Sequence, residues 1–428
     1  DQYTQGMGNR MNKILKLGVM ALACTFVFSV CRIKYETGSG ETDETVGESA
    51  VESSDKAGGE ILHVRYANES YTPYLEICKT EFEKKNQGVS VVLDCVSSEN
   101  YIVNINNDST TENVPDVYLV SNSDLSTAYL AGLASKVTNE EFVNRVYDKV
   151  ALDACSYNGI LVAYPLSYRT TFLVYNSLYV ENDEDFTFEK IKTYSEEKEL
   201  TNDQMAVVEK IFNCNLTDLF MNYGYIGGYI NIGGVYGSDS EKFTVCNDNS
   251  VSATGKYLEL VDYFSIDKVQ EYGDVVKKTV GGNSIFSIVS TDSFAEIKAS
   301  GLEFRYKEFP DFDDILVTSP LSITTAIAVN PYSKVSSLGE AFAEFAADTM
   351  SDKLNEAAGM FPANKNAVIN KEYSGIYSSY MKSTSKNKLQ YGEQVYPLIE
   401  IALHNILNGE DIKTELQSVD AYMKKQLK

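Results

Sequence analysis

Short polar stretches break the apolar runs of this 428-residue chain, and they carry the side chains that could do chemistry. Asn68 and Glu69 follow the run ILHVRY, Asn122 and Asp124 follow VYLV, and Thr291 and Asp292 follow SIFSIVS. Carboxylates and amides in such loops can accept from or donate to the hydroxyls of a small solute. Tyr225, Gly228 and Tyr229 lie in YGYIGGYINIGGVYG, where glycines let a backbone approach a ligand closely. Each residue also has a plainer reading as a solvated loop or cap residue, and Asp124 stands where a helix N-cap is expected. Catalytic patterns are missing. The chain has two histidines, His63 and His404, and no G-x-S-x-G, H-E-x-x-H or P-loop. No cofactor or metal motif stands out. A two-carboxylate glycan-active enzyme stays open as an alternative, because 61 acidic residues make carboxylate pairs easy to find.

The elements that must position these loops alternate. Ile61 to Tyr66 reads as a strand. Thr72, with Pro73 behind it, is expected to open a helix whose apolar face is Tyr71, Leu75, Cys78 and Phe82. Val89 to Val96 is a second strand and Val117 to Val120 a third, with a helix over Leu125 to Leu133. Strands alternating with helices imply βαβ units and a mainly parallel sheet, whose ligands bind beyond the strand C-terminal ends. Leu161 to Pro165 and Thr171 to Tyr175 read as a strand pair, and Ile211 to Tyr223 as an apolar helix. Ser284 to Ser290 and Leu321 to Val329 are strands. Helix faces run from Ala341 to Met350 and from Val395 to Ile406, the last stopped by Asn408–Gly409.

Composition narrows the function. A formal net charge of −24 without a basic stripe argues against nucleic acid as a partner. Residues 11–31, MNKILKLGVMALACTFVFSVC, have a short positive start and a 14-residue apolar run, the size of a signal-peptide core and short for a bilayer span. The run ends at Cys31, with Cys24 as the alternative lipidation site and an uncleaved anchor or plain secretory signal as further readings. Residues 32–60 form an acidic, Gly-rich linker that cannot bury enough apolar surface to order itself, and it suits a leash reaching on the order of 30 Å. The remaining cysteines, at 78, 95, 155, 214 and 246, make no zinc pattern. Buried small apolar roles fit them, and Cys78–Cys95 is the pairing to consider for a disulfide. The remainder, about 365 residues, suits two domains.

The order of segments resembles a known family. PDVYLV and AGLAS are followed by YPLSYRTTFLVYN, a Gly-rich loop, GGNSIFSIVSTDS, PLSITTAIAVNPYSK, FPANKNAV and LIEIALHNILNGEDIKTEL. From Ile61 onward the chain resembles the extracellular solute-binding proteins of family 1, the maltose-binding-protein-like group of ABC importers. That resemblance implies an α/β, two-lobed, type II periplasmic-binding-protein-like fold, with a ligand cleft between lobes joined by hinge strands. Lobe one is expected at 61–165 plus 322–361 and lobe two at 166–321 plus 362–428. The resemblance adds Tyr168 and Arg169 at the hinge, and Tyr396 on the last helix, as ligand contacts. It implies a monomeric, lipid-anchored protein on the outer face of the cytoplasmic membrane. Its partners would be a mono- or oligosaccharide and the permease subunits of an ABC importer. The same fold binding a polyamine or organic anion, or serving a sensor, is the alternative. The chain departs from sugar-binding members in having no Trp, so its 30 Tyr and 19 Phe must supply any stacking platform.

Overall fold

The computed structural model describes residues 59–181, 185–367 and 370–427. The leader with Cys24 and Cys31, and nearly all of the 32–60 linker, lie outside the described residues.

Strand Glu60–Tyr66 buries Leu62, Val64 and Tyr66. It pairs in parallel with Val89–Cys95 on one side and Val117–Ser121 on the other. Helix Thr72–Lys85 connects the first two and buries Tyr74, Leu75, Cys78 and Phe82 against them. Thr72 does not cap it. Asn68 takes that role one turn earlier, accepting from Ser70 N at 3.0 Å and starting the 3-10 turn Glu69–Tyr71, while the Thr72 hydroxyl bonds Tyr66. Strand Leu321–Val329 inserts antiparallel between Val117–Ser121 and Tyr164–Arg169. Phe361–Pro362 closes that edge, and Thr384–Ser385 pairs with Leu321 and Ser322, completing a seven-stranded sheet.

A four-stranded sheet runs in the order Phe304–Lys307, Thr171–Asn176, Ser284–Ser290, Lys210–Asn213. Alternation along Thr171–Asn176 sends Phe172 and Val174 to one face and Leu173 and Tyr175 to the other. The first pair joins the core that continues from the seven-stranded sheet. The second pair joins a core built with Phe286, Ile288 and the helices Val395–Leu407 and Ile412–Gln426. Asn408 and Gly409 separate those two helices, with Gly409 at φ +100°, a conformation that costs glycine little.

Several expectations are corrected by these pairings. The 165/166 boundary shifts: Tyr164–Arg169 stays in the seven-stranded sheet to its end, because Arg169 pairs with Ile323, and the chain leaves that sheet at Thr170. Helix Ser374–Met381 buries Ile376 and Tyr380 in the core of the seven-stranded sheet, although it also lies along Phe304–Lys307. A side chain at Gly375 would meet Tyr306 O at 2.4 Å, so only glycine permits that approach. Ile211 to Tyr223 is not one helix. Lys210–Asn213 is recruited as a strand by parallel pairing with Ser284–Ser290. Asn215 Oδ1 then accepts from Thr217 N at 3.0 Å and Asp218 N at 2.8 Å, turning the chain into the short helix Leu219–Asn222. Cys78 and Cys95 are both free: one faces the core from its helix, and the other ends an exposed edge strand.

Candidate functional site

The segments that pass between the two sheets come together. Thr170 is buried. Its hydroxyl donates to Leu321 O at 3.1 Å, and its carbonyl accepts from Thr291 N at 3.0 Å. Lys386 N donates to Ser322 O at 2.9 Å. Beside this junction opens a cleft of about 260 Å³, with Leu321 and Ile323 among its lining residues. Arg169 enters from the end of its strand, Asp218 and Phe220 from the cap and first turn of helix Leu219–Asn222, Lys386 from the last crossing, and Tyr396 and Glu400 from helix Val395–Leu407.

Local bonds fix these side chains. Asp218 caps its helix, accepting from Phe220 N at 2.8 Å, and Glu400 Oε2 accepts from Leu219 N at 2.9 Å. Two carboxylates thus hang on consecutive backbone amides, each keeping lone pairs for a further donor. The Arg169 guanidinium lies 4.0 Å from the Phe220 ring centroid and pairs with Asp292. Lys386 Nζ is 2.6 Å from Glu393 and 5.4 Å from the Tyr396 ring centroid. The Tyr396 hydroxyl accepts from Asn387 N at 2.8 Å and Asn387 Nδ2 at 3.0 Å. Burial holds its proton above the ordinary phenol range. Loss of solvent raises the Asp124 carboxyl, helped by Glu393 and opposed by Lys386, which puts Asp124 within electrostatic reach of that crossing. The arrangement presents acceptors, donors and two aromatic rings to a common space. That suits a solute with many hydroxyls and some apolar surface.

The residues singled out from sequence divide. Arg169 and Tyr396 line the cleft. Asp292 joins it through Arg169 and Asp124 through Lys386. Thr291 is buried beside the crossing, its hydroxyl accepting from Thr170 N at 3.4 Å. Asn122 is fully buried. It donates to Lys386 O at 2.8 Å and accepts from Thr324 N at 2.9 Å, so it ties the crossing down and has no face for a ligand. Tyr168 is core, stacked on Tyr380 with centroids 4.0 Å apart. Tyr225 is core too, stacked on Tyr257 at 4.6 Å. Asn68 is spent as a cap and Glu69 is exposed in the turn it starts. Gly228 lines a different groove with Lys149, Asp153 and Asn231, and the Tyr229 carbonyl accepts from Asn247. Asp218, Phe220, Lys386 and Glu400 were missed. The signal for the first two was present: the strand-end rule, applied to Lys210–Asn213, points at the residues just beyond it, where Asn215, Thr217 and Asp218 lie.

Comparison with known proteins agrees with this architecture. The sequence pattern of the bacterial extracellular solute-binding protein family matches residues 78–376. No curated protein sequence matches the chain. Among solved structures, an extracellular solute-binding protein from Staphylococcus aureus in complex with maltose superposes with a TM-score of 0.76 at 16% identity, over 87% of this chain and 99% of that one. The maltose-binding periplasmic protein MalE of Listeria monocytogenes, in complex with maltose, gives 0.73 at 16% identity, over 86% and 98%. A cyclo/maltodextrin-binding protein complexed with maltotetraose gives 0.75 at 15% identity, over 87% and 99%. At these identities the likeness is one of fold: two α/β lobes of the type II periplasmic-binding kind.

Proposed function

This chain belongs to the bacterial extracellular solute-binding protein family, and we propose that it captures a mono- or oligosaccharide outside the membrane and delivers it to the permease of an ABC importer. The observation that carries the reading is the cleft at the crossings, where Asp218, Glu400, Arg169 and Lys386 surround the rings of Phe220 and Tyr396. Hydroxyls on a sugar edge would bond the carboxylates and cations, and its C–H face would lie on a ring. Contacts from both lobes would favour a closed state in the ligand's presence, which is what a permease could recognise. A thermal-shift panel of neutral mono- and oligosaccharides tests it. A true ligand at a hundredfold excess over its dissociation constant stabilises the fold by about 2.7 kcal/mol. A panel in which no saccharide raises the melting temperature contradicts the proposal.

The carboxylates around the cleft, Asp124, Asp218, Asp292, Glu393 and Glu400, set against Arg169 and Lys386, favour a polyamine as the second reading. Putrescine and spermidine belong in the same panel. The apolar run before Cys31 supports a further part of the proposal, a lipid anchor at that cysteine. Metabolic labelling with a fatty acid is expected to mark the wild type and to be lost in Cys31→Ser. A label that persists in that variant moves the anchor to Cys24.

A further inference from the structure

The segment Thr384–Leu389 does more than cross between the lobes. It is held from both sides. Asn122, just past strand Val117–Ser121, donates to Lys386 O, and Gly237 O, in the Gly-rich loop, accepts from Lys388 N at 2.6 Å. Asn387 bonds the Tyr396 hydroxyl through both its backbone N–H and its amide. Lys388 itself is 2% exposed. Its ammonium donates to Ala154 O at 2.9 Å and Asp153 O at 3.3 Å, the end of helix Lys149–Ala154. A buried lysine is rare unless its charge is met, and here backbone carbonyls meet it, with no ion pair of its own among the described residues.

We propose that Lys388 is a positioning residue for the cleft: by fastening Thr384–Leu389 to the end of helix Lys149–Ala154, it sets where Lys386 and Tyr396 stand. The inference rests on the reading of that cleft as the solute site. The groups facing Lys388 are the Asp153 carboxylate, itself paired with Lys149, and the Cys155 thiol, which burial pushes up to about 12. Along its own segment stands Lys386, paired with Glu393, and the Tyr396 phenol reaches that segment from helix Val395–Leu407. Burial pulls the Lys388 ammonium down from 10.5 to about 8, with Cys155 and Asp153 opposing the shift. The sign follows by linkage. When the segment lifts away, Lys388 regains water and takes up a proton. Raising the pH from about 8 towards 10.5 therefore favours the fastened state, and lowering it below 8 leaves a charged ammonium held at a cost.

Amide hydrogen exchange on the ligand-free protein tests this without any saccharide, so its failure is separable from failure of the sugar reading. Protection of the Asn387 and Lys388 amides, corrected for intrinsic exchange, is expected to rise about tenfold or more between pH 7 and pH 10. In Lys388→Met the pH slope is expected to vanish, and the ring signals of ¹³C-labelled Tyr396 to shift. A flat wild-type profile overturns the proposal, and so does a variant that keeps the wild-type slope. If Lys388→Met does not fold, the wild-type profile alone decides.

Discussion

Tyr225→Ala is expected to cost about 3–5 kcal/mol of stability, the range for emptying a large aromatic site in a core. The ring is fully buried, 4.6 Å from Tyr257 and 5.3 Å from Phe309, with Phe188 at 5.5 Å and Phe312 at 6.0 Å. All of these rings lie in the core shared by the four-stranded sheet and the C-terminal helices. The neighbours are rigid rings, Tyr257 stacked on it and Phe188, Phe309 and Phe312 tilted or edge-on, so the space is poorly refilled. Urea unfolding gives the number. The variant's solute affinity, measured where it is still folded, should match that of the wild type. A loss below about 1 kcal/mol, or a large loss of affinity with stability intact, would return Tyr225 to the ligand contacts that its loop suggested.

Asp218→Ala is expected to weaken solute binding roughly 10- to 150-fold, corresponding to about 1.5–3 kcal/mol for a hydrogen bond to a charged group. The same change removes the cap on Phe220 N and should lower stability by about 1 kcal/mol. Asp218→Asn separates the two effects. Asn caps a helix about as well as Asp, so stability should hold while the charge-assisted bond to the ligand is lost. Titration calorimetry with the best solute of the panel reads the affinities. Equal affinity in wild type and Asp218→Ala would remove that carboxylate from the site.

These two residues show what could be read from sequence and what could not. Short apolar-rich runs such as ILHVRY, SIFSIVS and LSITTAIAV became strands Glu60–Tyr66, Ser284–Ser290 and Leu321–Val329, because each buries one or both faces in a sheet. Arg169 was found through the likeness of YPLSYRTTFLVYN to a hinge. Its neighbour Tyr168 was carried along, but strand alternation sends that ring to the opposite face, onto Tyr380. Ile211 to Tyr223 sets Asn213, Asn215, Thr217 and Asp218 among its apolar residues, and periodicity alone does not separate a short buried strand from a helix there. Pairing with Ser284–Ser290 decided it, and that partner lies more than seventy residues away. Reading it as a helix hid the strand end that carries Asp218 and Phe220. Tyr225 and Tyr229 sit in a loop rich in glycine, and glycine signals close approach without saying whether a ligand or another chain segment approaches. Lys386 and Glu400 had no local signal. Their place depends on the last crossing and on which face of Val395–Leu407 meets the cleft.

A crystal structure with the panel's tightest-binding solute decides whether the solute lies at the crossings of the two lobes. That solute is expected within hydrogen-bond distance of Asp218 and Glu400, reached by Arg169 or Lys386, with a ring of Tyr396 or Phe220 against its apolar face. A solute bound instead in the groove of Lys149, Gly228 and Asn231, with the Arg169–Tyr396 cleft holding only water, would contradict this placement.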